Sequence, residues 1–408
     1  MYGNAEKNTA TVAQNAKKQI SDTLAILYVA KTSIGAGILF VPACYARLGL
    51  IPGLVITIAG AFVTAMTALW VARSAVSHQT QDYVMLVGLM IPSLRWRRMI
   101  EASITLLAVL MSMSSLVVYL RIVSETALVY LSSRYSREDA SLMLLAVILP
   151  LSCIRSTSRL SWVSLGGILG MCYLLGIITI DLFRDLTFAR THAFNLGSNA
   201  LSSVASIMFA YASQFWMPQV ALEMRSGPSF LIFSGTLIAM IAYLLMGVGG
   251  YVCFGDSIRG LPIIQAFATS ETPLVYRIAQ LCLSTVYLLS FPLKIAPLRV
   301  SVRRVFLSAK SLERSEVELS SIWWEMAEST VLISMVVAIS RWAPANTLKV
   351  FDLAASLASA PLALILPALM SVRLCGDRFG FRAVFCIFLG LALMGQGVWT
   401  QLSSFFTK

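Results

Sequence analysis

Residues 28–50 read YVAKTSIGAGILFVPACYARLGL. The stretch is apolar enough and long enough to begin a membrane span, yet its middle runs Ser33-Ile34-Gly35-Ala36-Gly37. Glycine is about 1 kcal/mol worse than alanine inside a helix, so two glycines flanking an alanine invite the helix to open. Pro42, five residues further on, removes another backbone donor. In a bilayer, backbone groups released this way must be satisfied by protein or must face a wet cavity. An interrupted helix at mid-membrane depth is therefore a candidate binding site for a solute or an ion. The competing reading is a packing seam, because small residues let membrane helices approach closely.

Composition sets the surroundings of that stretch. Of 408 residues, 58% are hydrophobic and 12% charged, and the mean hydropathy is +0.80. A soluble domain carries about 25% charged residues, so this is a polytopic membrane protein. The apolar runs are continuous rather than alternating, which excludes a β-barrel. Eleven spans are expected, at 24–46, 50–73, 99–130, 140–154, 162–183, 199–222, 230–254, 274–300, 322–342, 347–371 and 382–405. The fourth is short and interrupted by Pro150, and the third is long enough to tilt. Residues 1–20 are polar and carry Lys7, Lys17 and Lys18, so no removable leader is expected there. The chain divides into a cytoplasmic segment at 1–23 and one membrane domain over 24–408.

The net charge of +12 does not point to nucleic acid, because the basic residues sit mainly in short loops between apolar runs. Clusters such as Arg95-Trp96-Arg97-Arg98 suit anionic membrane lipids. With the N-terminus placed in the cytoplasm, 18 of the 31 Lys and Arg residues fall in inner segments and 10 in outer ones. Lys31, Arg121 and Lys294 lie within spans. The asymmetry favours an inside N-terminus and, with eleven spans, an outside C-terminus. Residues 80–98 read as a short helix lying in the membrane interface, and residues 301–321 as a solvated cytoplasmic helix. The seven cysteines are scattered singly without metal spacing, and no cofactor is expected.

A second interruption mirrors the first. The sixth span centres on Phe209-Ala210-Tyr211-Ala212-Ser213-Gln214, and Pro218 follows. It lies five spans after the first, and paired interruptions at corresponding places are the mark of an inverted-repeat transporter. Among charges inside spans, Arg121 and Glu125 are four residues apart and read as a pair on one helix face. Asp181, Asp185 and Lys294 read as snorkelling or interfacial groups. Lys31 precedes the glycine break too deeply for easy escape to water, so a function within the membrane is expected of it.

These residues resemble the amino acid/auxin permease family. Lys31 to Pro42, followed by Leu48-Gly49, is similar to the G-[TS]-G-[IVL]-L-x-x-P core of that family's first span. Phe209-Ala210-Tyr211 with Gln214 and Glu223 resembles its sixth span, and Gly250-Tyr251-Val252-Cys253-Phe254-Gly255-Asp256 the end of its seventh. Phe291-Pro292-Leu293 with Pro297 resembles the eighth, and Ala363 to Leu369 with Pro367 the tenth. The resemblance implies an all-α LeuT-type fold, a 5+5 inverted repeat plus an eleventh helix, in the plasma membrane or an endolysosomal or vacuolar membrane. It also implies an amino acid substrate carried by alternating access and held at the two breaks. Carried over by position, the binding set is Thr32, Ser33, Ile34, Gly35, Ala36 and Gly37 with Phe209, Ala210, Tyr211, Ala212, Ser213 and Gln214. Sodium-coupled members have an asparagine where this chain has Lys31, whereas members thought to use protons carry lysine. Lys31, with Ser284 and Thr285 on the eighth span, is accordingly the candidate substitute for a cation site, with sodium independence expected. A lysine that gains and loses its proton would couple transport to a proton, as a symporter; one that stays charged would leave a uniporter or exchanger.

Two other classes of function compete. A membrane receptor that senses an amino acid without carrying it would use the same pocket. An enzyme is disfavoured, since His78 and His192 fall in or beside loops and no nucleophile–base pair is visible. No oligomeric state is assigned.

Overall fold

A computed structural model describes residues 20–130, 135–152, 157–184, 191–195, 197, 200–266, 273–306, 322–342, 352–353, 355–377 and 380–406. The predicted cytoplasmic segment at 1–23 thus enters only from Ile20, and the helix expected over 301–321 lies outside the described residues beyond Phe306.

Helix α1 (Asp22–Ser33) opens on Ser21, whose hydroxyl accepts from the Leu24 amide at 3.4 Å and so caps the first turn. A 3-10 segment (Ala36–Phe40) leads into α2 (Val41–Leu48), and α3 (Leu50–His78) follows directly after Gly49. Gly49 has φ +89°, and a methyl there would lie 2.7 Å from Asn195 N and Phe194 Cα. Only glycine fits both that backbone and that approach. Next come α4 (Tyr83–Leu89), α5 (Leu94–Tyr130), α6 (Arg137–Ser152), α7 (Thr157–Arg184), α8 (Ala200–Ala210) and α9 (Met217–Glu223). They are followed by α10 (Pro228–Phe254), α11 (Ile263–Ala266), α12 (Leu274–Phe306) and α13 (Ile322–Trp342). Two π-helical runs, Ala355–Ser359 and Pro361–Ile365, pass into α14 (Leu366–Arg373), and α15 (Phe381–Phe406) follows.

Helix occupies each of the eleven apolar runs. Among the described residues, five stretches are long and apolar enough to cross a membrane by themselves: Leu50–His78, Leu94–Tyr130, Pro228–Ile258, Leu274–Pro292 and Ser356–Arg373. The α1–α2 pair, bent by 47°, makes a sixth when its halves count as one. Helix α5 begins earlier than expected because Ser93 starts it, taking the Arg97 amide at 2.9 Å, and Arg97 then pairs with Glu101 at 2.8 Å. Helix α4 is short, as expected, but buries Tyr83, Val84, Leu86 and Val87. The Tyr83 hydroxyl donates to the Leu362 carbonyl at 2.6 Å, which draws the helix inward against the π-helical region.

The core sits where α2, α5, α8, α10 and α12 converge. Gly235 brings α10 onto α1, since a methyl there would fall 2.6 Å from the Val29 Cβ. Arg121 is fully buried, and its guanidinium crosses to α13, donating to the Ser340 carbonyl at 2.8 Å. A buried guanidinium needs such acceptors. Asp181 takes the Tyr276 hydroxyl, and Lys294 lies 4.7 Å above the Tyr119 ring.

Candidate substrate site

The first break starts where α1 runs out of helical partners. The Ile34 amide closes the last turn on the Ala30 carbonyl at 2.8 Å. The chain then leaves the helix at Ile34 (φ −91°, ψ 83°) and is extended at Gly35 (φ −94°, ψ −172°). Pro42 stands in the first turn of the resumed helix α2, where its missing N–H costs nothing. The second break has the same plan. Helix α8 stops at Ala210, Ala212 turns back to the Phe209 carbonyl at 2.9 Å, and Gln214–Trp216 forms a 3-10 turn before α9, with Pro218 in its first turn.

The two breaks meet at one side chain. The Tyr243 hydroxyl, from α10, lies 2.7 Å from the Ala210 carbonyl and 3.0 Å from the Ser33 carbonyl. The Tyr211 ring packs 4.3 Å from the Tyr243 ring, centroid to centroid. Around this junction are buried polar atoms with no hydrogen-bond partner among the described residues: Ser33 Oγ, Tyr211 Oη, Gln214 Oε1 and, from α12, Tyr287 Oη. Such atoms are rare in folded chains, and each leaves about 1–3 kcal/mol of desolvation uncompensated.

The other predicted residues are less uniform. Thr32 spends its hydroxyl on the Val29 carbonyl at 2.9 Å. Gly35 borders open space: a methyl there would meet no heavy atom within 4 Å. Gly37 and Ser213 are buried, Ile34 and Ala212 partly so. Gln214 donates to Thr67 Oγ1 at 2.9 Å and, with Phe209, lines a small hollow shared with Thr64, Met208, Ser359 and Leu364. No residue of the first break lines that hollow. Ser284 donates to Thr126 Oγ1 at 2.6 Å, and exposed Thr285 donates to the Leu281 carbonyl at 2.8 Å. The half-buried ammonium of Lys31 has neither a hydrogen bond nor an ion pair among the described residues.

Sequence reasoning passed over three participants. Tyr243 and Tyr287 look like ordinary core aromatics, and only their polar tips at mid-span hint otherwise. The third is Asp352, which ties both broken helices together away from the breaks. Arg47 of α2 reaches its Oδ2 at 2.8 Å, and Ser206 of α8 donates to its Oδ1. At the opposite end, the Ile20 amide donates to the Glu223 carbonyl at 3.0 Å and Ser226 to Asp22 Oδ2 at 2.6 Å.

Known proteins place this architecture. A family model described as "Transmembrane amino acid transporter protein" matches residues 18–403. The chain is 25% identical over 304 residues to vacuolar amino acid transporter 6 of Saccharomyces cerevisiae, covering 69% of this chain and 65% of that one. It is 24% identical over 329 residues to vacuolar amino acid transporter 5 of the same yeast, covering 72% and 68%. The namesake transporter 5 of Schizosaccharomyces pombe is 24% identical over 289 residues, covering 68% of each. In fold, the chain is similar to the crystal structure of the Eremococcus coleocola manganese transporter, with a TM-score of 0.53 at 12% identity, covering 94% of this chain and 87% of that one. The matched family and these relatives are transporters, not enzymes. With a model that spans nearly all its length, this multi-pass chain belongs to the transmembrane amino acid transporter family.

Proposed function

We propose that the chain carries amino acids across its membrane by alternating access, with the substrate held between the two breaks. The observation that carries the reading is Tyr243, whose hydroxyl lies within hydrogen-bond distance of a released carbonyl from each break, so the two stretches work as one site. The carbonyls at the ends of α1 and α8 would accept from the substrate ammonium, and the amides that open toward α2 would receive its carboxylate. The contacting set is Thr32, Ser33, Ile34, Gly35, Ala36 and Gly37 with Phe209, Ala210, Tyr211, Ala212, Ser213 and Gln214. The architecture proposed is the LeuT-type 5+5 repeat with an eleventh helix, one domain over 24–408, and a cytoplasmic N-terminus. The names of the yeast relatives favour a vacuolar or endolysosomal membrane.

Purified full-length protein in liposomes tests this directly. Labelled amino acid should accumulate inside, and Gly35→Val should cut the rate by about tenfold or more, because misplacement by one ångström is costly at such a site. The variant should express and melt like the wild type, since the added carbons enter open space. Uptake by Gly35→Val within twofold of wild type would refute the assignment, and binding without uptake would mark a sensor.

Lys31 supports sodium independence. An ammonium without a partner among the described residues, two residues before Ser33, supplies the positive charge that a bound sodium would otherwise bring. Ser284 and Thr285 contribute less to this reading, as both hydroxyls are engaged in their own surroundings. Replacing sodium by choline should leave uptake unchanged at every pH tested. A rate that collapses without sodium would remove Lys31 from the cation site, while a pH dependence lost in Lys31→Ala would identify the proton as the coupled ion.

A further inference from the structure

Helix α5 is longer than a membrane is thick. Its 37 residues measure about 55 Å at 1.5 Å per residue, against a hydrocarbon core of about 30 Å. Charge crowds its first turns, which therefore belong to the headgroup layer. There the helix divides the basic cluster of residues 95–98 between two sides. Arg97 turns inward, its Nε donating to Glu101 Oε1 at 2.8 Å. That pair is the seat of α4, because a methyl on Gly88 would collide with Glu101 Oε1 and lie 2.8 Å from Arg97 Nε. The neighbours of Arg97 turn outward. Arg95 and Arg98 are exposed, and Leu94, Trp96 and Met99 are each more than half exposed. Residues three and four apart adjoin on a helix, so Arg95 stands beside Arg98 and Met99, and Arg98 beside Leu94. The outer side of α4 continues the apolar part, with Met85 and Leu89 exposed four residues apart.

We infer that this face of α5 docks anionic phospholipid, with Arg95 and Arg98 together holding the headgroup phosphate and Leu94, Trp96 and Met99 lying where headgroups meet acyl chains. The inference is independent of what the chain carries. Two guanidinium groups this close repel each other unless an anion lies between them. A guanidinium fork also matches two oxygens of one phosphate. A soluble phosphate would satisfy that charge but leave three large apolar side chains in water. An anionic lipid meets both needs, since its phosphate is joined to acyl chains and it gathers where basic residues flank a span. Tryptophan favours the same depth. The docked lipid would be felt inside the protein. On the inner side of the same turns Arg97 and Glu101 hold α4, and α4 reaches the π-helical region through Tyr83 and the Leu362 carbonyl.

Full-length protein in phosphatidylcholine nanodiscs gives the test, with Trp96 as the reporter. Its share of the emission is the difference from Trp96→Phe. Brominated phosphatidylserine should quench that share at least about threefold more than brominated phosphatidylcholine at the same fraction of the lipid. The preference should vanish in Arg95→Gln, Arg98→Gln, which should melt like the wild type in phosphatidylcholine alone because both side chains are exposed. In the wild type it should also fade at about 1 M salt, where charges are screened within about 3 Å. Equal quenching by the two lipids overturns the inference, as does a preference that survives the double substitution or the salt. A preference abolished by excess inorganic phosphate would show a site for free phosphate and overturn the lipid as occupant. A Trp96 that neither lipid quenches would set the face against a soluble partner and overturn docking to the membrane.

Discussion

Replacing Arg47 with methionine should destabilise the protein by about 3–5 kcal/mol, because it strands the Asp352 carboxylate in a site built for a charge pair. The two side chains are only 12% and 13% exposed, and Ser206 occupies the other carboxylate oxygen, so water has little room to replace the guanidinium. Three elements lose a common tie at once: α2, α8 and the approach to the π-helical runs. Thermal unfolding of the purified protein gives the number. The double variant Arg47→Met, Asp352→Leu should recover most of the loss, since neither charge is then left alone, and the excess over additivity measures the pair. An Arg47→Met protein that melts like the wild type would show that the pair holds nothing together.

Tyr243→Phe should lower the transport specificity constant by roughly 10- to 100-fold. The ring is fully buried against Tyr211, so phenylalanine keeps the packing and only the hydroxyl is lost. That hydroxyl carries one proton for two carbonyls, at 2.7 and 3.0 Å. Without it both are left buried and underbonded, and a lost partner of this kind costs about 1–3 kcal/mol. The loss should appear in the KM for the amino acid, since the same carbonyls are proposed to bind its ammonium. A KM within twofold of wild type, with only the melting temperature reduced, would make Tyr243 a packing residue.

How much of this was legible beforehand depends on the range of the interaction. The breaks were readable because their causes are local. Gly35 and Gly37 around Ala36, and the run of small and polar residues before Pro218, disfavour helix wherever they are placed. The sequence located both within a residue or two of Ser33 and Ala210, where the helices end. The prolines had another role than expected, starting the resumed helices α2 and α9 rather than only breaking the preceding ones. What stayed hidden is contact between residues far apart in the chain. No periodicity joins Arg47 to Asp352 across 305 positions, or Tyr243 to Ser33 across 210. The stretch before Pro367 read as an ordinary span because π-helical turns answer to packing rather than to propensity. Nor could spacing announce that Arg121 donates to the Ser340 carbonyl, 219 residues away on α13.

The two ends of the broken α1–α2 span are tied unequally. Beside Gly49, the loop at 192–195 is bound to the end of α2 through Asn195 to Leu48 and Ala46 and to the start of α3 through His192 to Leu50 and Ala193 to Ile51, and the Arg47–Asp352 pair reinforces it. At the far tip the described ties are Ile20 to Glu223 and Asp22 to Ser226. At about 1 kcal/mol for each hydrogen bond, the described bonds hold the Gly49 end more firmly than the Ile20 end, as a pivot is held relative to the tip of a lever. Displacement along a lever grows with distance from its pivot. Under the alternating access proposed above, a rotation of this span about Gly49 would move Ile20 further than the Ser33 carbonyl, which lies nearer the pivot.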